Sequence, residues 1–174
     1  MKALRAALVA AALALALRPE LPRYHAEREL RAATEALRFV ITHSQEIADP
    51  PGALERIAAI AHSCGPALPG DPRPPILEGS AWFVRGELER AEGIYRSALV
   101  LGERAETDLN LGRALERMGR ENEAHAAFLR AAWISPLLLE AMLPDIAAAV
   151  NADLARLDEE LKAGRLNAPP PLPP

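Results

Sequence analysis

Apolar residues recur at steps of three and four along the first third of this chain, the spacing that puts them on one face of an α-helix. The pattern predicts one long helix over residues 21–47 and a shorter one over 53–63. Residues 49–52, Asp-Pro-Pro-Gly, form a strong helix breaker between them. Residues 21–64 are therefore predicted to form a helical hairpin. The apolar stripe of its long helix consists of Leu30, Ala33, Leu37, Val40 and Ile41.

Two segments in the middle of the chain have residues of the same type at equivalent positions. The sequence separation of each matched pair is the same as that between Gly79 and Gly112. The matches pair glycine with glycine twice, alanine with alanine twice, and one aromatic residue with another. Glycine and aromatic residues are scarce in this sequence, so its richness in alanine does not explain the matches. The matched pairs are Gly79 and Gly112, Gly86 and Gly119, Ala91 and Ala124, Tyr95 and Phe128, and Ala98 and Ala131.

Each matched position has a structural role that its residue type predicts. The first glycine of each copy falls inside a predicted helix, where glycine is costly, and it therefore indicates the close approach of a neighbouring backbone. The second glycine falls where that helix must end and is predicted to be its left-handed cap. The two alanines leave room for the partner helix, and the aromatic residue fills the space between helices and between copies.

The order of these residues, G-x6-G-x4-A-x3-[YF]-x2-A, with Pro136 closing the second copy, resembles the tetratricopeptide repeat, a helix–turn–helix unit of about 34 residues. The resemblance covers residues 76–136 and implies an all-α, right-handed stack of helical hairpins. Residues 21–64 are either a degenerate first repeat or an unrelated hairpin, so the stack has two or three units. The first copy departs from the family pattern at Glu78, where leucine is usual, and it lacks the closing proline.

The segments that flank the two copies are interpreted from their proline content and apolar spacing. Residues 65–75 are rich in proline and glycine and are predicted to be an exposed loop without helix. Residues 137–164 are predicted to form a short apolar helix and then a longer one from Pro144, which together cap the stack. Residues 165–174 are predicted to be a disordered, proline-rich tail.

Residues 1–18 are predicted to be a targeting segment rather than part of the fold. Lys2 and Arg5 precede an uncharged run over residues 6–17, which is the arrangement of a secretory signal. The run is shorter than the about 20 apolar residues of a membrane-spanning helix, which favours a cleaved export signal over a permanent anchor. Export would place the protein in the periplasm or cell envelope, whereas the anchored alternative would hold it in the inner membrane.

Charge and composition exclude some functions. The chain has 24 acidic and 20 basic residues with the signs interspersed, which argues against nucleic-acid binding. The four histidines show no metal-binding spacing, and no glycine-rich phosphate loop is present. We therefore predict no metal, no cofactor, no small-molecule substrate and no catalysis. One alternative is a thiol-dependent enzyme in which His62 activates Cys64, the only cysteine, although no third orienting group is identifiable.

The family resemblance also implies a concave groove lined by the first helix of each repeat. Its asparagine and two arginines would bind a carboxylate or an acidic segment of a partner protein, beside an apolar floor. The alternative interpretation of these positions is ordinary solvated helix surface. The implied groove residues are Leu77, Ser80 and Phe83 from the first repeat and Glu106, Leu109, Asn110, Arg113 and Arg117 from the second.

We accordingly predict a non-catalytic adaptor or assembly factor that binds another protein or peptide segment in the cell envelope. The principal alternative is a structural subunit of a larger membrane protein complex, anchored by residues 6–17 and in contact with integral membrane proteins. The mature N-terminus separates the two, because cleavage near Ala14 or Ala16 removes the anchor.

Overall fold

The structure is a computed structural model that describes residues 20–165, 168, 170 and 171. Within these residues the chain is all-helical and has no strand, which confirms the predicted all-α class. Three short 3₁₀ segments, Ser44–Glu46, Gly65–Ala67 and Pro136–Ala141, separate some of the α-helices. The described α-helices are α1 (Glu20–Thr42), α2 (Pro50–Cys64), α3 (Arg73–Arg85), α4 (Leu88–Leu101), α5 (Ala105–Arg117), α6 (Glu121–Ile134) and α7 (Pro144–Lys162).

The helices begin and end close to the predicted boundaries, with differences that proline explains. Helix α2 starts at Pro50, inside the predicted breaker, because proline is compatible with the first helical turn, where its missing N–H is not needed. The Asp49 side chain caps this start by accepting a hydrogen bond from the Gly52 N–H at 3.0 Å. Helix α1 ends at Thr42, earlier than predicted, and a 3₁₀ turn follows it.

The prediction that residues 65–75 contain no helix was wrong at both ends of the segment. Gly65–Ala67 form a 3₁₀ turn, and α3 begins at Arg73, so that Pro74 and Pro75 lie in its first turn. The Asp71 carboxylate accepts a hydrogen bond from the Arg73 N–H at 2.9 Å, which satisfies one of the unpaired donors at this helix start.

Each α-helix packs against the next one in the chain, and α1 also contacts α3, as α3 contacts α5. The interior is dominated by alanine and leucine, so the helices approach one another closely and bury their apolar stripes. The largest fully buried apolar side chains include Tyr95, Leu111, Leu115 and Val150.

The two matched copies make the same contacts at equivalent positions. A Cβ atom added to Gly79 would lie 2.8 Å from the Tyr95 ring, and one added to Gly112 would lie 2.6 Å from the Phe128 ring. The close neighbour is therefore an aromatic side chain of the partner helix, and the expectation of a neighbouring backbone was wrong.

The helix ends of the two copies also correspond. Gly86 and Gly119 have φ angles of 92° and 75° and follow α3 and α5 as left-handed caps, as predicted. The residue after each glycine donates its N–H to a carbonyl five residues earlier, at 3.0 Å in both cases. The described fold is thus repeat-like at both its packing contacts and its helix ends.

The C-terminal region differs from the expectation in one element. Pro136–Ala141 is a 3₁₀ segment rather than an α-helix. Helix α7 buries Val150 completely, whereas its other large apolar residues, Ile146, Leu154, Leu157 and Leu161, are partly or largely exposed. Asp153 of α7 lies 2.8 Å from the imidazole Nε2 of His125 on α6, which joins the two helices.

Two predicted segments fall outside the described part of the chain. The predicted signal or anchor, residues 1–18, is not described, and neither is most of the predicted tail, 165–174. Of that tail, the buried Pro170 accepts a hydrogen bond at its carbonyl from Arg130. No helix among the described residues has the length and apolar character that a membrane crossing requires.

Candidate functional site

Helices α1 and α3 and the start of α5 line an open cleft of about 580 Å³, which we call the α1–α3–α5 groove. It forms where α3 contacts both α1 and α5. The groove contains three of the residues that the family resemblance implied: Leu77, Ser80 and Glu106.

The floor of the groove is apolar. Leu30, Leu37 and Leu77 contribute side chains that are at least nine-tenths buried in the fold. Ile41 lies at one side of the floor and is 54% exposed. An apolar surface of this kind is stabilised when a ligand covers it and displaces water.

Two hydroxyl groups lie on the groove with their hydrogen atoms already engaged. Thr34 donates to the Leu30 carbonyl and Ser80 to the Ile76 carbonyl, each at 2.8 Å. Ser80 also accepts a hydrogen bond of 3.2 Å from the Tyr95 hydroxyl, and burial raises the pKa of Tyr95 to about 12, which keeps this donor protonated. The Thr34 and Ser80 oxygens therefore face the groove mainly as hydrogen-bond acceptors.

The rim of the groove carries charges of both signs. Arg73 is held by Asp71, and this contact lowers the pKa of the Asp71 carboxyl. Arg38 lies 3.8 Å from Glu35, but both side chains are largely exposed, so the pair contributes little. Arg31 and Arg104 also line the groove, and Arg104 lies close enough to Asp71 to help lower the pKa of that carboxyl.

Four of the implied groove residues lie outside the groove lining and bond within the protein. The Arg117 guanidinium lies 4.9 Å from the centre of the Phe83 ring and donates to the Phe83 carbonyl at 3.2 Å. Arg113 donates to the Ala141 carbonyl at 2.8 Å and approaches the Asn110 side-chain oxygen at 3.4 Å. These contacts join α5 to α3 and to the segment Pro136–Ala141. A fifth residue, Leu109, belongs to the core.

Sequence reasoning missed the contribution of α1 to the groove. Glu27, Arg31, Thr34, Arg38 and Ile41 recur at three- and four-residue steps beside the buried stripe of that helix. This second periodicity was present in the sequence, but it combines charged, polar and apolar residues and does not stand out as a hydrophobic pattern.

A buried acidic residue was also missed. Asp108 of α5 is 0% exposed, and neither of its carboxylate oxygens has a hydrogen-bond partner among the described residues. Burial raises the pKa of Asp108 to about 7, and the nearby Glu103 carboxylate acts in the same direction while Arg130 opposes it. The neighbouring Thr107 hydroxyl is buried and unpaired as well.

The geometry around Cys64 is unlike that of an activated thiol. Its side chain is buried, its Sγ donates to the Ala26 carbonyl at 3.5 Å, and burial raises its pKa. His62 instead pairs with Glu78 at 3.1 Å on the surface. Among the described residues, no group of three or more His, Cys, Asp or Glu side chains is arranged to hold a metal ion.

Comparison with known proteins gives no match: no family model, no curated protein and no solved structure matches this chain. The candidate function is therefore inferred from the groove and from the repeat-like packing around it.

Proposed function

We propose that this protein is a non-catalytic scaffold of the tetratricopeptide type that binds a segment of another protein in the α1–α3–α5 groove. The observation that carries the proposal is the groove itself, an open cleft with a buried apolar floor and a charged rim. The glycine–aromatic contacts and glycine caps that recur in both matched copies support a stack of such repeats. Helix α7 would then be the terminal cap of the stack.

Binding would combine apolar burial with ion pairing. Apolar side chains of the bound segment would cover mainly the exposed Ile41, together with the small part of Leu30 and Leu77 that reaches the groove, and the water that they displace would contribute affinity. Carboxylates of the segment would pair with Arg31 and Arg104, which gives selectivity for an acidic segment over a basic one. The Thr34 and Ser80 oxygens would accept hydrogen bonds from N–H groups of the ligand.

We further propose that the protein acts in the cell envelope as an adaptor or assembly factor. Support for this location comes from the signal-like residues 1–18, in which two basic residues precede a short uncharged run. The proposed function needs no small-molecule substrate or cofactor, and the open form of the groove supports the binding of an extended segment.

The test is affinity capture of the tagged, full-length protein from gently solubilised membranes, with matched variants at two exposed aliphatic residues. Ile41→Asp places a charge on the groove floor, and Val100→Asp places the same charge on α4, away from the groove. We expect wild type and Val100→Asp to retain the same partner and Ile41→Asp to lose it, with helical content unchanged by circular dichroism.

The outcome that would reject the proposal is equal recovery of the partner by Ile41→Asp and wild type, or the absence of any stoichiometric partner. The intact mass of the captured protein tests the location separately. A mature chain that begins near Leu15 or Leu17 agrees with export, whereas an uncut chain captured with integral membrane proteins agrees with the anchored alternative.

A further inference from the structure

Helix α1 carries a second stripe of residues on the side opposite its buried one, which we call the outer stripe. At 3.6 residues per turn its members fall on a single narrow face of the helix. Its three large hydrophobic residues are exposed, Leu21 at 52%, Tyr24 at 57% and Phe39 at 51%. The outer stripe consists of Leu21, Tyr24, Arg28, Ala32, Glu35 and Phe39.

Four of the six residues of the outer stripe are placed symmetrically about its middle. Tyr24 and Phe39 are equally far from the midpoint between Arg31 and Ala32, and so are Arg28 and Glu35. An antiparallel copy of the same helix would therefore place aromatic against aromatic and arginine against glutamate, each pair twice. At the centre, Ala32 of each copy would face Arg31 of the other, and the small alanine side chain leaves room for the arginine.

The charged groups of the outer stripe are available for such pairing. The Arg28 guanidinium lies 5.9 Å from the centre of the Tyr24 ring, which is a weak contact. Glu35 lies 3.8 Å from Arg38, and the side chains of that pair are 67% and 74% exposed. Exposed pairs of this kind contribute little, so they would exchange readily for a new partner.

At the C-terminal end of the outer stripe, Phe39 borders an open cleft that is wide enough for an aromatic ring. Phe39 lines an open cleft of about 880 Å³ between α1 and α2, whose other wall includes Ala53 and Ile60. Ile60 is 39% exposed there. The ring of Tyr24 from a second copy would cover Phe39 and Ile60 together.

We propose that α1 is a self-association surface, at which two copies of this chain pair through antiparallel α1 helices. Tyr24 of each copy contacts Phe39 of the other, and Arg28 of each pairs with Glu35 of the other. A second copy is the occupant because only an identical helix meets both halves of this self-complementary pattern. The apolar floor of the α1–α3–α5 groove lies on a different face of α1, and Glu35 is the one residue of the outer stripe that also lines the groove.

The size of α1 sets the expected strength of the dimer. A helix of 23 residues is about 34 Å long at 1.5 Å per residue. One helix face and the adjoining cleft give an interface smaller than the about 800 Å² per partner of a standard complex. The dimer is therefore expected to be a weak one that dissociates on dilution.

Charge reversal tests the pairing directly, by sedimentation equilibrium of the full chain over a range of concentrations. Arg28→Glu and Glu35→Arg each replace two attractive contacts with two repulsive ones, and each should weaken the dimer at least about tenfold. The double variant Arg28→Glu/Glu35→Arg restores opposite charges and should recover dimerisation. Arg23→Glu, on an exposed part of α1 away from the outer stripe, is the matched control and should leave dimerisation unchanged.

Three results would overturn the proposal: a wild-type monomer at the highest concentration, single variants that dimerise like wild type, or a double variant no stronger than the single ones. Phe39→Asp provides a second test, because it removes the aromatic contact at a residue that is 51% exposed, and circular dichroism checks that the variant keeps its helical content. It should weaken the dimer by at least as much as either charge reversal.

Discussion

The hairpins α3–α4 and α5–α6 close around the same glycine–aromatic contact, but they begin in opposite ways. Where the first hairpin has Pro74 and Pro75, the second has Thr107 and Asp108 at the equivalent positions of its own copy. Pro74 is buried and has no N–H to satisfy, whereas Thr107 and Asp108 are fully buried with unpaired polar oxygens. The two hairpins thus share the glycine–aromatic contact at their middle, whereas the first turn holds prolines in one and buried polar residues in the other.

This difference shows that a close match to the repeat pattern does not by itself make a hairpin more stable. The second copy is the better match to the tetratricopeptide pattern, yet it buries an unpaired carboxyl and an unpaired hydroxyl, whereas the unpaired buried group of the first hairpin is the Trp82 indole N–H. A buried carboxyl without a partner disfavours its own ionisation and thereby makes the stability of the fold depend on pH. Variants in the two hairpins can therefore test the shared contact and the differing starts separately.

The largest effect is expected from removal of the shared aromatic ring. Phe128→Ala should lower the free energy of unfolding by about 3–5 kcal/mol, because it leaves a cavity where a fully packed ring was. Tyr95→Ala should have a similar effect and also removes the hydrogen bond to Ser80. Urea denaturation measures both, and a loss near zero at either position would show that the two hairpins do not share this contact.

The second-largest effect on stability is expected from Asp108 in the first turn of α5, and it depends on pH. The folded-state pKa of Asp108 is raised to about 7 from an ordinary value of 3.8, so folding favours its protonated form. Stability is therefore lost as the pH rises from about 4 to about 7, by up to about 4 kcal/mol, the free energy that corresponds to this difference in pKa. Asp108→Asn should remove this loss and be about 2–4 kcal/mol more stable than wild type at pH 8.

Chemical denaturation of wild type and Asp108→Asn between pH 4 and pH 8 measures this effect. The variant should show the smaller decline over that range, and the two proteins should converge at the acid end. Asp145→Asn, at an exposed position in the first turn of α7, is the control and should follow wild type. Parallel curves for wild type and Asp108→Asn would contradict the assignment of a costly buried carboxyl to the second hairpin.

A smaller effect is expected when a methyl group is added at the contact. Gly112→Ala should cost about 1–2 kcal/mol, since overlap with the Phe128 ring outweighs the better helix propensity of alanine. Gly79→Ala should cost less, because the distance to the Tyr95 ring is slightly longer. In a Phe128→Leu background the cost of Gly112→Ala should fall. Thermal denaturation of wild type, Gly112→Ala, Phe128→Leu and the double variant measures this change.

The smallest effect is expected at the helix caps, where the hairpins are alike. Gly86→Ala and Gly119→Ala should each lower stability by about 1 kcal/mol, because alanine is strained at positive φ. The two losses should agree within error in urea denaturation. A large difference between them would mean that the caps, unlike the aromatic contacts, do not play equivalent parts in the two hairpins.

Much of the fold could be predicted from the sequence, because burial leaves a periodic trace. The paired glycines, the cap positions and the stripe of α1 were visible as spacing, except that Ile41 of the predicted stripe is exposed rather than buried. The start of α3 was not, since proline breaks a helix in its interior but is compatible with its first turn. The nature of the neighbour of Gly79 was also inaccessible, because spacing indicates closeness without saying which atoms approach.

The candidate site was less predictable than the fold. Leu77, Ser80 and Glu106 do lie at the groove, but Arg113 and Arg117 reach main-chain carbonyls of their own protein. A long arginine side chain has several hydrogen-bonding positions within reach, and periodicity does not determine which it takes. The contribution of α1 depended on tertiary packing, which brings it beside α3 to complete the groove.

Site-specific photo-crosslinking in native cells tests the central claim, that the α1–α3–α5 groove binds another protein. A photo-reactive phenylalanine analogue would be placed at Ile41 or Ile76 in the groove and, as the control, at the exposed Val100 of α4. We predict a discrete adduct with one partner protein from Ile41 and Ile76 and none from Val100. Equal adducts at all three positions, or none at the groove positions, would contradict the proposal.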